Sequence, residues 1–313
     1  MTERAEYNEI FEGAIQYPDP EYNERLNNLV GLDEHKTRVM KLLSLLINPS
    51  GIEKWAKKYY KKAPTVVNYV LKRPPLIIFE GDVGSGKSEL ALTIGDAVSR
   101  VEGLDIMLLP LSLSTRGEGR VGQMTKLISD AFDLTIDRAK NLKNSSNKAK
   151  GGVILLVDEA DSLTQSRESS QMHHEDRAGV NAFIRGIDRL GNGKLPAAVI
   201  LCTNRVNSLD PAVKRRSADI LSFGRPNETQ REAVLKGPLK ELGLSRVAIE
   251  KIVKATGPKD SIKYGFTYSD LTQRVLPAII LDAYPDQKVT AERAFNIVNQ
   301  MGATPPFNGM FYA

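Results

Sequence analysis

Residues 76–88 constrain this chain more than any other stretch. Leu76, Ile77, Ile78 and Phe79 form an apolar run of strand length, and Gly81-Asp82-Val83-Gly84-Ser85-Gly86-Lys87-Ser88 follows almost at once. The run reads as a buried strand because nothing in it is polar. The eight residues after it satisfy G-x-x-x-x-G-K-[ST] at every fixed position. Glycines in such a loop let backbone N–H groups turn inward around phosphate oxygens, the lysine reaches the terminal phosphates, and the hydroxyl binds Mg²⁺. Glu89 opens a helical pattern, and a helix starting there adds the positive end of its dipole. The expected phosphate-binding set is Gly81, Val83, Gly84, Ser85, Gly86, Lys87, Ser88 and Glu89.

A loop of this kind sits at the edge of a parallel sheet, and the remaining pattern supplies one. Apolar runs at 76–79, 105–113, 153–157, 197–201 and 220–223 alternate with helical patterns at 89–98, 121–139 and 177–190. Short continuous apolar strands between helices predict an α/β domain, a five-stranded parallel sheet flanked by helices. After Gly224-Arg225-Pro226 the strand pattern stops. Asn227 and Gln230 are spaced as a capping box, and helices are expected at 228–241, 247–255, 269–283 and 290–300. Upstream, a helical pattern covers 27–47, with Val39, Leu42, Leu43, Leu45 and Leu46 on its apolar face. The expected organisation is a short extension over 1–29, a large α/β domain over 30–225, and a small all-helical lid domain over 226–313. The last stretch, 302–313, carries Phe307, Phe311 and Tyr312, and two readings of it stay open: docking on a neighbour, or disorder.

Composition excludes several classes. Cys202 is the only cysteine, so no internal disulfide forms, and three histidines beside one thiol argue against a structural zinc site. The polar N-terminus and the lack of a long apolar run argue against secretion and a membrane span, and for a cytoplasmic location. The net charge of +5 permits an anionic ligand without demanding one.

Asp158 and Glu159 follow directly on the run 153–157. A strand end there carries both carboxylates to the sheet edge. The first would position Mg²⁺, and the second would polarise an attacking water. The letters Asp158-Glu159-Ala160-Asp161 also spell a helicase motif, but no second strand-rich half follows and no Ser-Ala-Thr motif appears. The run 197–201 instead leads to Cys202-Thr203-Asn204, and Asn204 at a strand tip can hydrogen-bond water or the γ-phosphate. Further on, Arg215 and Arg216 form a cationic pair that reads either as a solvated turn or as an arginine finger reaching a neighbouring subunit's nucleotide.

Phosphate loop, acid pair, Asn204, paired arginines and helical lid, in that order, resemble an AAA+ ATPase from about residue 30 to 283. Val30-Gly31-Leu32-Asp33-Glu34 resembles the segment over adenine, and Gly265-Phe266-Thr267-Tyr268-Ser269-Asp270-Leu271 resembles the lid segment that meets the nucleotide. The resemblance implies ATP and Mg²⁺ as cofactors, with Ser88 and Asp158 on the metal, Val30, Gly31 and Tyr268 at the nucleotide, and Lys87, Glu159, Asn204, Arg215 and Arg216 in catalysis. It also implies a homo-hexamer whose pore loops pull a protein substrate. A narrower likeness is to the pachytene checkpoint ATPases, carried by 158–167 and by Ser217-Ala218-Asp219-Ile220. That group remodels HORMA-domain proteins, and its short bacterial forms act as brakes in anti-phage second-messenger systems.

Three departures stand out. Too few residues precede 30 for an adaptor-binding domain. Ser269 stands where the lid arginine is expected, with Arg274 one turn further on. In the pore segment Gly119-Arg120-Val121-Gly122, Arg120 takes the place of an aromatic residue. An arginine can grip an extended peptide with its stem and guanidinium. His173 and His174 fall near a second pore segment, without an identifiable acid–base partner.

A nucleic-acid-stimulated ATPase, such as a loader or transposition accessory, is the alternative. Its motives are Arg120 and the cluster Trp55-Ala56-Lys57-Lys58-Tyr59-Tyr60-Lys61-Lys62. The modest net charge ranks it second, and the cluster reads as a solvated helix with its aromatics docked on the body.

Overall fold

The computed structural model describes residues 10–60, 64–113, 122–143, 149–161, 174–205, 209–259 and 262–307. The chain divides into two compact units. The first comprises Met1–Asn28, Glu34–Glu80 and Ser88–Ser222. The second comprises Leu29–Asp33, Gly81–Lys87 and Phe223–Ala313. These bounds differ from a simple split at 29 and 225, because two short segments from the first third of the chain join the helical unit.

The first unit is built on a sheet of β1 (Ile15–Tyr17), β2 (Leu76–Gly81), β3 (Asp105–Ser112), β4 (Gly151–Asp158), β5 (Ala197–Thr203) and β6 (Ser217–Phe223). The order is β1-β3-β4-β5-β2-β6. Strands β3, β4, β5 and β2 pair in parallel. The expected five-stranded parallel sheet thus carries a sixth strand: β1 lies antiparallel on β3, with Gln16 opposite Met107. Three residues of mixed polarity leave no periodicity to read. Tyr17 anchors that edge, because its ring is fully buried and its hydroxyl donates to the Leu92 carbonyl.

Strands β4 and β5 are buried almost end to end, as both faces of a parallel sheet are covered. Helices α1 (Pro20–Asn28), α2 (Asp33–Ile47), α3 (Ser50–Tyr59), α4 (Val66–Leu71), α5 (Lys87–Glu102), α6 (Gln123–Asn141), α7 (His174–Asn192) and the short α8 (Pro211–Lys214) surround it. Phe132 of α6 meets Phe183 of α7 edge-on at 5.6 Å, beside Leu155, Val157 and Leu201. The helical pattern expected over 27–47 is interrupted at 29–32. Gly31 has φ +81° there, which no helix interior tolerates.

The aromatics of α3 do not dock on the body as expected. Trp55, Tyr59 and the adjoining Tyr60 are 47%, 62% and 45% exposed, and the Trp55 ring lies 6.1 Å from that of Tyr59 and 5.5 Å from that of Tyr60.

In the second unit, α9 (Glu228–Glu241), α10 (Arg246–Ala255), a π-helical turn (Asp270–Val275), α11 (Leu276–Ala283) and α12 (Ala291–Gln300) enclose a core of Leu235, Leu239, Ile252, Phe266, Leu271, Ile279 and Val298. The capping box forms: the Asn227 side chain accepts from the Gln230 N–H at 2.9 Å, and Gln230 Oε1 accepts from the Asn227 N–H at 2.9 Å. The expected helix 269–283 begins as a π turn. Pro277 has no N–H to donate back to residue 273, so the α ladder cannot continue through this point. No helix among the described residues is long and apolar enough to cross a membrane.

Candidate functional site

Residues Gly81–Lys87 of the phosphate loop belong to the second unit and Ser88 to the first, and the backbone of 81–87 is shaped by close packing within the second. Gly81 has φ +151°, and a Cβ on it would lie 2.1 Å from the Phe223 carbonyl oxygen. No side chain fits at that spot. Ser85 is buried, and its hydroxyl donates to the Asp82 carbonyl at 2.7 Å. Lys87 is also buried. Its ammonium donates to the carbonyls of Asp82 at 2.7 Å and Gly81 at 3.1 Å, and to Ser85 Oγ at 3.3 Å. The loop therefore encloses a fixed positive charge among inward-turned backbone. Val83 is exposed at the rim, and the Ser269 N–H donates to the Gly84 carbonyl at 3.2 Å.

The segment proposed over adenine meets the lid segment within the same unit. The Gly31 carbonyl accepts from Gln230 Nε2 at 2.8 Å and from the Tyr268 hydroxyl at 3.4 Å. A Cβ on Gly31 would come within 2.9 Å of that hydroxyl. Burial, reinforced by the Asp33 carboxylate, pushes the Tyr268 hydroxyl up to about 12, so it stays a donor at neutral pH. The capping-box spacing accounts for only one end of Gln230. Its amide does two things, one end closing α9 and the other holding Gly31.

Asp270 organises the lid segment. It accepts from the N–H groups of Thr267 and Thr304, both at 3.0 Å, and from Thr304 Oγ1 and Arg274 Nη1, both at 2.6 Å. Burial alone would raise its pKa. The bonds from Thr304, Thr267 and Arg274 outweigh that and hold it at about 2. Arg274 bonds Asp270 and the Gly302 carbonyl. Ser269 turns to Gln273 at 3.0 Å.

The acids belong to the first unit. Because β2, β4 and β5 run parallel, their C-terminal ends share one edge of the sheet. Asp158 ends β4 half-buried, and its Oδ1 accepts the Glu159 N–H at 2.8 Å. Glu159 is exposed with φ 52°, a left-handed conformation uncommon for a residue with a Cβ. Ala160 is tied to the Cys202 carbonyl at 3.0 Å. Asp161 then accepts Thr203 Oγ1 at 2.7 Å and the Asn204 N–H at 2.8 Å. Asp161 and Thr203 were not singled out from sequence, yet they lock the Asn204 backbone to the acid segment.

Other expected residues divide clearly. Glu89 pairs both carboxylate oxygens with Arg25, at 2.8 Å each. Arg216 is held bidentately by Asp188, at 2.7 and 2.9 Å, which raises its pKa further. Arg215 is exposed, and its guanidinium has no partner among the described residues. Arg120, Val121 and His173 lie outside the described residues, and His174 opens α7.

A family model, the ATPase family associated with various cellular activities (AAA), matches residues 77–225. CD-NTase-associated protein 6 of Escherichia coli (strain MS 115-1) is 59% identical over 307 residues, 98% of this chain and 99% of that protein. The chain belongs to the AAA ATPases. Among solved structures, one chain of the E. coli MS115-1 HORMA:CdnC:Trip13 complex is 58% identical, with TM-score 0.89 over 96% of this chain and 98% of that one. Rhizobiales Trip13 is 53% identical, with TM-score 0.75 over 95% and 100%. These relatives match this AAA ATPase over nearly all of the chain, and the resemblance to the checkpoint group holds.

Proposed function

We propose that this ATPase converts a HORMA-domain partner from one fold to another and so acts as a brake on a bacterial defence signalling system. The observation that carries this reading is the likeness to a chain of the HORMA:CdnC:Trip13 complex over nearly the whole length. The name CD-NTase-associated protein 6, borne by the 59% identical relative, supports the signalling context.

In this reading ATP lies in the cradle of residues 81–88, with Lys87 and the loop N–H groups on its phosphates. Ser88 and Asp158 fit a Mg²⁺ ion, as a hydroxyl and a half-buried carboxylate are hard oxygen donors. When bound, the ion neutralises phosphate charge. Glu159 accepts the proton of the attacking water, and Asn204 orients that water. The left-handed φ of Glu159 supports the assignment, because such strain, about 1–2 kcal/mol, persists where function holds it. Val30, Gly31 and Tyr268 border the base. The active assembly is a homo-hexamer, with Arg120 and Val121 gripping the partner in its pore.

With Arg216 committed to Asp188, Arg215 is the residue that reaches the neighbouring subunit's nucleotide. Arg215→Ala subunits mixed with Glu159→Gln subunits should regain part of the ATPase activity that each lacks alone. No recovery at any ratio would remove the trans assignment.

The functional reading is tested by incubating a HORMA-type partner with this chain and ATP. The partner's hydrogen-exchange pattern should change with the wild type and stay unchanged with Glu159→Gln. A partner unaltered under turnover overturns the reading. The exposure of Trp55, Tyr59 and Tyr60 beside Lys57 and Lys58 favours a second reading, nucleic-acid stimulation. An unaltered partner, together with an ATPase that rises steeply with DNA and falls with salt, would put it first.

A further inference from the structure

Asp82 is the first residue inside the phosphate loop after Gly81, and its carboxylate is fully buried. One oxygen accepts the Val83 N–H at 2.8 Å, which sets the first turn of the loop. The other accepts Arg225 Nε at 2.7 Å. Arg225 is equally sequestered, 6% exposed, and it reaches on to the Gly265 carbonyl at 2.7 Å while its guanidinium covers the Tyr264 ring at 4.8 Å. A third contact comes from the far end of the chain: the Phe307 N–H donates to Asp82 Oδ1 at 3.3 Å. That end is itself pinned, since Thr304 is held to Asp270 through both its N–H and its hydroxyl.

A buried carboxylate inside a polyphosphate cradle opposes the ligand's charge unless a cation neutralises it. Arg225 supplies that cation. Its Nη2 is buried without a partner among the described residues, an arrangement that stability alone does not favour. We propose that Asp82 and Arg225 are positioning residues for the phosphate loop, and that the segment 302–307 is a strap that bears on the loop through Asp82. The inference rests on the reading that residues 81–88 hold the triphosphate. The segment read from sequence as docking on a neighbour or disordered lies, up to Phe307, on this chain's own loop.

The experiment measures the Kd for a fluorescent ATP analogue with Mg²⁺, and KM and kcat for ATP. Arg225→Gln removes the guanidinium from a buried carboxylate and should weaken binding at least about tenfold, raising KM more than it lowers kcat. Adding Asp82→Asn removes the carboxylate's charge as well and should restore most of the affinity, a rescue that a merely structural arginine would not show. Phe307→Pro deletes the N–H and should weaken binding about three- to tenfold relative to Phe307→Ala, which keeps it. This pair also carries the test should Arg225→Gln not fold. Unchanged affinity in Phe307→Pro, or a double variant no better than a folded Arg225→Gln, overturns the proposal. Lys87→Ala serves as the control. If it too binds normally, the fault lies in the reading of the loop and not in the strap.

Discussion

Glu159→Gln should bind ATP as the wild type does and hydrolyse it about 10²–10⁴-fold more slowly, the range over which a positioned general base accelerates a proton transfer. The amide keeps the shape of the carboxylate and the left-handed backbone, whose N–H rests on Asp158 Oδ1. What it loses is the ability to take a proton from water. Glu159 is exposed at the end of β4, so the substitution leaves no buried polar group unpaired and should not alter folding. Single-turnover hydrolysis beside an analogue-binding titration checks both halves. A turnover within about twofold of wild type would dismiss Glu159 as the base.

Lys87→Ala should lose nucleotide affinity by about 100-fold or more, since a charge-assisted contact to phosphate disappears from a water-poor loop. The buried ammonium also bridges the carbonyls of Gly81 and Asp82, so part of the loss would come from a slackened loop. Lys87→Met separates the two effects, because it keeps the stem and removes only the charge and its hydrogen bonds. It should bind as poorly as the alanine variant while unfolding at a higher temperature. Calorimetric titration with ATP and Mg²⁺ reads the affinity, and unchanged binding in both variants would end the phosphate-loop assignment.

These expectations draw unequally on sequence and structure. The strand run at 76–79, the loop, the acid pair at the end of β4 and the capping box of α9 were all legible in the residues themselves. Each rests on contacts within a few positions of the chain: hydrophobic period, glycine at a tight turn, or a side chain returning to its own helix start. Strand β1 was not legible, because three mixed residues become a strand only when β3 offers an edge. Nor did any local pattern announce that Asp161 would anchor Asn204, or that Arg216 would close on Asp188 and leave Arg215 exposed.

The chain by itself determined which chemistry is carried, since phosphate binding and water activation need particular residue types at particular short spacings. Only the tertiary structure decided how those residues are held. Gln230 meets Gly31 across 199 positions and Phe307 meets Asp82 across 225. Partnerships at such separations leave no periodic trace, because they exist only once the intervening chain has folded and brought the two groups within hydrogen-bonding distance.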